Sequence, residues 1–250
     1  MKRFDLNADL GEMDTPEGHA SDAAILSVVS SASIACGGHA GNAATMDRAV
    51  RVAKAEGVRI GAHPAYPDRE GFGRRSRFPI AKSDLLDTLV QQITALQTVA
   101  RAARAEVAYV KPHGALYNDA VADPGLAETI VAAVVRAGVS TLMGAPNSEL
   151  ERAAGTRLRF QSEGFLDRRY DDRGHLVPRS EDGAVLATDA ERLAQLERLV
   201  LHGEVETASG GTLTIACETL CVHGDSPGAM ATARAARARL EQLGFTVAAS

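Results

Sequence analysis

The sequence predicts an α/β barrel, one closed parallel sheet wrapped by helices. Three observations carry this expectation. Short apolar runs alternate with longer stretches of helical periodicity along the whole chain. The apolar runs lack clean polar alternation, as expected of strands buried on both faces. Polar residues then punctuate nearly every strand, whereas an open doubly wound sheet, the alternative for such a pattern, would gather them at one or two switch points. The 250 residues are read as a single domain, 1–250. That length builds one barrel with a buried core more naturally than two independent domains.

Strands are expected at 4–8, 33–36, 58–62, 107–110, 141–143, 158–161 and 220–222. Between 83 and 104, Leu86, Leu89, Ile93, Leu96 and Ala100 share one helical face, and Ser83 is the expected N-cap. Asp123-Pro124 sets a cap residue before a proline and starts a helix running to about residue 137. Thr188 and Glu191 form a capping box that opens a helix towards Leu201. Ser226-Pro227 repeats the cap-proline device before the last helix, which Gly244 stops. One stretch breaks the rhythm. Ser209-Gly210-Gly211 between two apolar runs predicts a β-hairpin insertion near 204–216.

Composition narrows the function. A net charge of −5, only 4% aromatic residues and no tryptophan give no footprint for nucleic acid. Charge at Lys2, Arg3 and Asp5 occupies the place of an export signal, and no 18-residue apolar stretch offers a membrane span. Three cysteines make no disulfide framework and suit a reducing cytoplasm. Cys217 and Cys221 read as buried thiols before they read as a metal pair.

The chemistry gathers where strands end. Asn7, Asp9 and Glu12 follow the first strand, His39 the second and His63 the third. Lys111 and His113 follow the fourth, Glu163 and Asp167-Arg168 the sixth, and His223 and Asp225 the last. In a barrel these positions converge on one rim. Histidines, carboxylates and a lysine in one cleft suit hydrolysis of an amide or ester, metal-assisted or by general acid–base catalysis. Taken singly, each has a structural alternative: Asn7 or Asp9 can cap a turn, and Lys111 can pair with a neighbouring strand end. His19 and His202 lack the pattern and are expected at the surface. Two arginine groups, Arg74-Arg75 in a glycine-rich turn and Arg168-Arg169 with Arg179, can clamp a carboxylate or phosphate or simply be solvated. The chain has no Gly-x4-Gly-Lys-Ser/Thr loop, no Gly-x-Gly-x-x-Gly after the first strand, no Gly-x-Ser-x-Gly elbow and no His-Glu-x-x-His.

At these residues the sequence resembles the LamB/YcsF family over nearly its whole length. The matching motifs are Asp5-Leu-Asn-Ala-Asp-Leu-Gly-Glu12, Ile34-Ala-Cys-Gly-Gly-His-Ala-Gly41, Gly61-Ala-His-Pro64, Gly71-Phe-Gly-Arg-Arg75, Val110-Lys-Pro-His-Gly-Ala-Leu-Tyr-Asn118 and Cys221-Val-His-Gly-Asp225. Glu163-Gly-Phe-Leu-Asp-Arg168 matches in part. Ala8 stands where the family usually has Cys, Gly38 replaces an aromatic, Asn42 and Ala43 replace Asp-Pro, and Gly164 and Leu166 also differ.

The resemblance implies a distorted, TIM-barrel-like fold of the glycoside hydrolase/deacetylase type. It implies hydrolysis of the cyclic amide 5-oxo-L-proline to L-glutamate, coupled to conversion of ATP to ADP and phosphate, together with partner subunits B and C. On this reading Asp9, His39 and His63 bind a divalent metal or polarise water. Glu12 and Glu163 are candidate general bases. Lys111, His113 and His223 serve the oxyanion or the leaving amine, with Asp225 orienting His223. Asn7, Asn118 and Arg74 or Arg75 bind substrate. Two rivals stay open: a stand-alone metal-dependent deacetylase or amidohydrolase, and a non-catalytic subunit that binds the lactam and presents it to the partners.

Overall fold

A computed structural model describes residues 2–249 except 224–227, and leaves out the His223 side chain. The expected cap at Ser226-Pro227 and the candidate Asp225 lie outside the described residues.

The chain alternates strand and helix: β1 (Lys2–Leu10), α1 (Pro16–Leu26), β2 (Ser31–Ala35), α2 (Ala43–Ala55), β3 (Arg59–His63), α3 (Lys82–Ala102) and β4 (Tyr109–Val110). Then come α4 (Gly114–Ala120), α5 (Pro124–Arg136), β5 (Thr141–Gly144), α6 (Glu149–Ala154) and β6 (Arg159–Phe165). The last part holds α7 (Asp189–His202), β7 (Glu204–Glu206), β8 (Thr212–Thr214), β9 (Thr219–His223), α8 (Ala229–Gln242) and β10 (Phe245–Val247). Strands β1, β2, β3, β4, β5, β6 and β9 pair in that order, all in parallel, and β9 pairs back to β1. The sheet is therefore a closed barrel, as expected. β1 is shared between two neighbours. Lys2 to Phe4 pair with β10, and Asp5 to Asp9 pair with β9.

The strands differ from expectation in one respect. They do alternate, and the polar face points inward. Leu6, Ala8 and Leu10 of β1 belong to the apolar cluster under the helices. Asp5, Asn7 and Asp9 face the barrel interior, where every polar group needs a partner. At one level Asp5 accepts from Ser30 Oγ at 2.6 Å, Ser31 Oγ at 2.7 Å and Gln161 Nε2 at 3.2 Å. Gln161 in turn accepts from Arg59 Nη1 at 2.8 Å. The Arg59 guanidinium lies 4.8 Å from the centre of the Tyr109 ring, and the Tyr109 hydroxyl meets Ser33 Oγ at 3.1 Å. Gly61 has no side chain because Tyr109 fills that place: a Cβ there would fall within the ring.

Helix ends explain the registers. Asp123 Oδ1 accepts from the Gly125 and Leu126 amides, and Thr188 with Glu191 forms the expected capping box. Helix α3 corrects the Ser83 expectation. It starts two residues earlier, at Lys82 with Ala81 in the cap position, and has no side-chain cap. Ser83 and Asp84 then sit in the first turn, where the Asp84 carboxylate complements the helix dipole. Helices α1, α2, α4 and α6 were not anticipated. Of these α2 had a signal, since Asn42 and Thr45 form a reciprocal capping box. Gly203, in the left-handed region at φ 66, closes α7 and leads into β7 and β8, the antiparallel hairpin expected near 204–216. His202 is exposed as expected, but His19 is only partly so, held between Asp14 and Arg48. Among the described residues no helix is long and apolar enough to cross a membrane.

Filling the Gly61 notch should be costly. Gly61→Ala is expected to lower stability by roughly 2 kcal/mol or more through overpacking against Tyr109, read as a fall in the midpoint of chemical denaturation. An unchanged midpoint would contradict the packing described.

Candidate active site

The upper level of the barrel interior is built around one cation. Lys111, immediately past β4, is 2% exposed. Its Nζ lies 2.6 Å from Glu163 Oε1, 2.9 Å from Asp9 Oδ1, 3.3 Å from Asn7 Oδ1 and 3.2 Å from Cys221 Sγ. Burial alone would lower this ammonium, but Asp9, Cys221 and Glu163 hold it well above its ordinary value. Asn7 completes the arrangement by donating to Glu163 at 3.0 Å and to Thr219 at 2.9 Å.

Beside it three imidazoles and a carboxylate converge. Asp9 Oδ2 lies 3.4 Å from His63 Nε2, which lies 3.0 Å from His113 Nδ1. His39 stacks flat on His113 with ring centres 3.5 Å apart. Glu12 Oε1 is 3.0 Å from His39 Nε2 and 3.5 Å from His113 Nδ1. Backbone carbonyls set the tautomers. His63 Nδ1 donates to the Lys111 carbonyl at 2.8 Å, and His113 Nε2 donates to the Phe72 carbonyl at 3.0 Å. In the neutral rings the lone pairs of His63 Nε2 and His113 Nδ1 therefore face each other. Burial, then the neighbouring His63, pushes His39 down to about 2 and His113 well below its ordinary value. Imidazoles in this arrangement can hold a metal ion. The ligand atoms of Glu12, His39, His63 and His113 all lie within 4.8 Å of one another. The anchored outer nitrogens are the support that such ligands need.

These groups open into a cleft of about 490 Å3. Its walls include Asp9, Glu12, His63, Lys111 and His113 on one side, and Arg74, Asn118, Arg168 and Arg179 on the others. Several sequence expectations do not reach it. Asn7 and Glu163 lie below Lys111 as its buried partners, and neither lines the cleft. Arg75 is also outside the wall, 2.9 Å from Asp68 and 3.4 Å from Glu70. The β9 backbone places His223 opposite Asp9, but its side chain, like all of Asp225, is outside the described residues. The metal set expected from sequence and the set that converges share His39 and His63. Asp9 instead pairs with Lys111, and Glu12 and His113 join the imidazoles.

Sequence reading missed two groups. Cys221 touches Lys111, and the Tyr117 hydroxyl is pushed well up by burial and by Glu163 beside it. The place of Cys221 within the strand β9 held the first signal, because alternate residues of a strand share one face. The departures from family pattern fall mainly outside the cleft. Ala8 points out of the barrel, so a thiol there would not reach the site. Gly38 lies against Gln92, which leaves no space for an aromatic. Asn42 caps α2.

Removing Lys111 should be expensive because two carboxylates would remain buried without their counter-charge. Lys111→Met is expected to cost about 3–5 kcal/mol of stability, and adding Glu163→Gln should recover part of it, both measured by chemical denaturation. A single variant as stable as the parent would sink the ion-pair account. Lost turnover in Lys111→Met therefore needs this control.

Comparison with known proteins places the chain. The model of the LamB/YcsF family matches residues 4–250. A protein of Streptomyces avermitilis, named as the A subunit of 5-oxoprolinase, is 48% identical over 251 residues, covering 98% of this chain and 99% of its own. A Paracidovorax citrulli protein of the same name is 45% identical over 246 residues, covering 98% of each. Among solved structures, a lactam utilization protein from Thermus thermophilus superposes with a TM-score of 0.91 at 39% identity, over the full length of both chains. A family 4 carbohydrate esterase from Streptomyces lividans, at TM-score 0.53 and 10% identity over 99% of this chain and 93% of that one, shares the fold alone. The closed barrel, the polar cleft and this full-length agreement converge, and the chain belongs to the LamB/YcsF family.

Proposed function

We propose that this chain is the lactam-processing component of an ATP-dependent 5-oxoprolinase. It opens the cyclic amide of 5-oxo-L-proline to L-glutamate while ATP is converted to ADP and phosphate, in assembly with subunits B and C. The observation that carries the reading is the cleft in which a buried, charge-held lysine adjoins a carboxylate–imidazole cluster. The names of the relatives supply the substrate. A five-membered lactam recloses readily after opening, because its own amine attacks with high effective molarity. Coupling to ATP overcomes this by activating the lactam oxygen. The chain has no Walker loop, and ATP is held either by subunits B and C or by a site of another kind in this chain. Its three free cysteines suit a reducing cytoplasm.

The donor set fits a divalent metal. His63 Nε2 and His113 Nδ1 present facing lone pairs, and His39 Nδ1 is buried with no partner. His39, His63 and His113 would hold the ion, with Glu12 as fourth ligand. Bound there, it would supply Lewis acidity to the cleft. The protein's own groups do the rest. Lys111 turns its held positive charge to the oxygen of the lactam carbonyl as charge develops there. Asp9, with one oxygen on Lys111 and the other towards His63, accepts the proton of the attacking water. Asn118 and Arg74, on the cleft wall, orient the substrate.

Two measurements test this reading. Reconstitution with each component omitted in turn should give glutamate and phosphate together, and only when this chain, subunits B and C and ATP are all present. Glutamate released from 5-oxoproline by the isolated chain without ATP would favour a stand-alone amidohydrolase instead. Metal analysis after loading with Zn(II) should find about one ion per chain, lost in His63→Ala and in His113→Ala. Asp9→Asn should keep the ion and lose turnover; if it loses the ion, Asp9 is a ligand. Full activity in metal-free protein removes the metal from the reaction.

A further inference from the structure

Beyond β6 the chain buries a second cation, and among the described residues it forms no ion pair. Arg168 is 4% exposed. Among those residues its guanidinium donates to backbone carbonyls, Val177 O at 2.6 Å and Ala184 O at 3.5 Å. Its own carbonyl accepts from Gln195 Nε2 of α7 at 2.8 Å, and its backbone bridges to Val185. The side chain is thus held by the Val177 and Ala184 carbonyls, and its backbone by α7 and Val185. No described carboxylate forms an ion pair with it. Burial, and then the nearby Arg179, lowers it to about 10 against the opposing charge of Asp167. With five N–H donors and two neutral acceptors, this guanidinium makes no fork-type ion pair among the described residues, the geometry it suits.

That anion has a place to sit. Arg168 lines the same cleft as Lys111 and His63. Arg179, exposed at the cleft mouth, also makes no ion pair with any described residue and adds positive charge. Arg168 and Lys111 thus border one cavity of about 490 Å3, and a small ligand in it has both cations in its walls.

We propose that Arg168, assisted by Arg179, is an anion-binding subsite that grips the oxyanion group of the ligand, a carboxylate or a phosphate. Resting on the lactam reading above, the group is the carboxylate of 5-oxoproline, and Lys111 is left facing the amide carbonyl. The subsite then selects an acidic lactam over the same ring without the acid. It also supplies the carboxylate contact that Arg75, engaged with Asp68 and Glu70, does not offer.

The test is calorimetric titration of the full chain with three probes: 5-oxoproline, 2-pyrrolidinone (the same lactam lacking the carboxylate) and inorganic phosphate. The parent should bind 5-oxoproline roughly 10- to 100-fold more tightly than 2-pyrrolidinone, as a charge-assisted fork implies. Arg168→Gln should abolish that difference and leave 2-pyrrolidinone binding unchanged. Because this variant gives up carbonyl contacts, its unfolding midpoint is measured alongside. The exposed Arg179→Gln, with no hydrogen bond or ion pair to a described residue to lose, should weaken 5-oxoproline binding about 3- to 10-fold by charge alone. If the parent binds phosphate but neither lactam, and Arg168→Gln loses the phosphate, the anion subsite stands while the lactam reading falls. Equal binding of all probes by the parent and both variants overturns the subsite, and so does a parent that binds none of them.

Discussion

The arrangement of the upper barrel rests on the Lys111 ammonium held between Asp9 and Glu163. Four strands meet at that point: β1 brings Asp9 and Asn7, β6 brings Glu163, β9 brings Cys221, and Lys111 continues from β4. A cation so deeply buried is tolerable only when charges and hydrogen bonds surround it, and here two carboxylates, an amide and a thiol do so. The same contacts fix Asp9. Its other oxygen then faces His63, so the structural ion pair and the imidazole cluster share one carboxylate.

A polar barrel interior makes this possible. Aliphatic layers would fill the barrel more cheaply, but they would leave Lys111 without partners. Instead the Asp5–Gln161–Arg59 level and the Tyr109–Ser33 pair form a floor of satisfied hydrogen bonds under the site. Gly61 cedes its side-chain space to Tyr109 in that floor. The apolar driving force lies outside the barrel, where Leu6, Leu10 and Ile34 pack beneath the helices.

The cleft above this floor has two electrical characters. Part of its wall is the imidazole cluster, beside carboxylates whose charge Lys111 balances. The wall also carries Arg74, Arg168 and Arg179, of which Arg168 is buried without an ion pair among the described residues. Such a division suits a small polar ligand with an amide at one end and an acid at the other. Electrophilic help is needed at the first end and charge recognition at the second.

The sequence by itself determined the alternation of strands and helices, the capping of α5 and α7, the β7–β8 hairpin and the family. These depend on local patterns: helical periodicity, cap residues beside proline, a glycine turn, and long motifs. It also named the polar residues at the strand ends, because strand ends of a barrel meet on one rim. Which of those residues touch was decided only by the tertiary structure. The turn from β1 to Glu12 and the loop carrying His39 bring Glu12 onto His39 and His113, while Asp9 remains in its strand beside Lys111. Arg75 and Arg74 are neighbours in sequence, yet Arg74 lines the cleft and Arg75 pairs with Asp68. Arg168 and Arg169 are likewise adjacent, and only Arg168 lines the cleft. Inward and outward positions alternate residue by residue, so motif membership could not say which side chain would face the chemistry; closure of the barrel could.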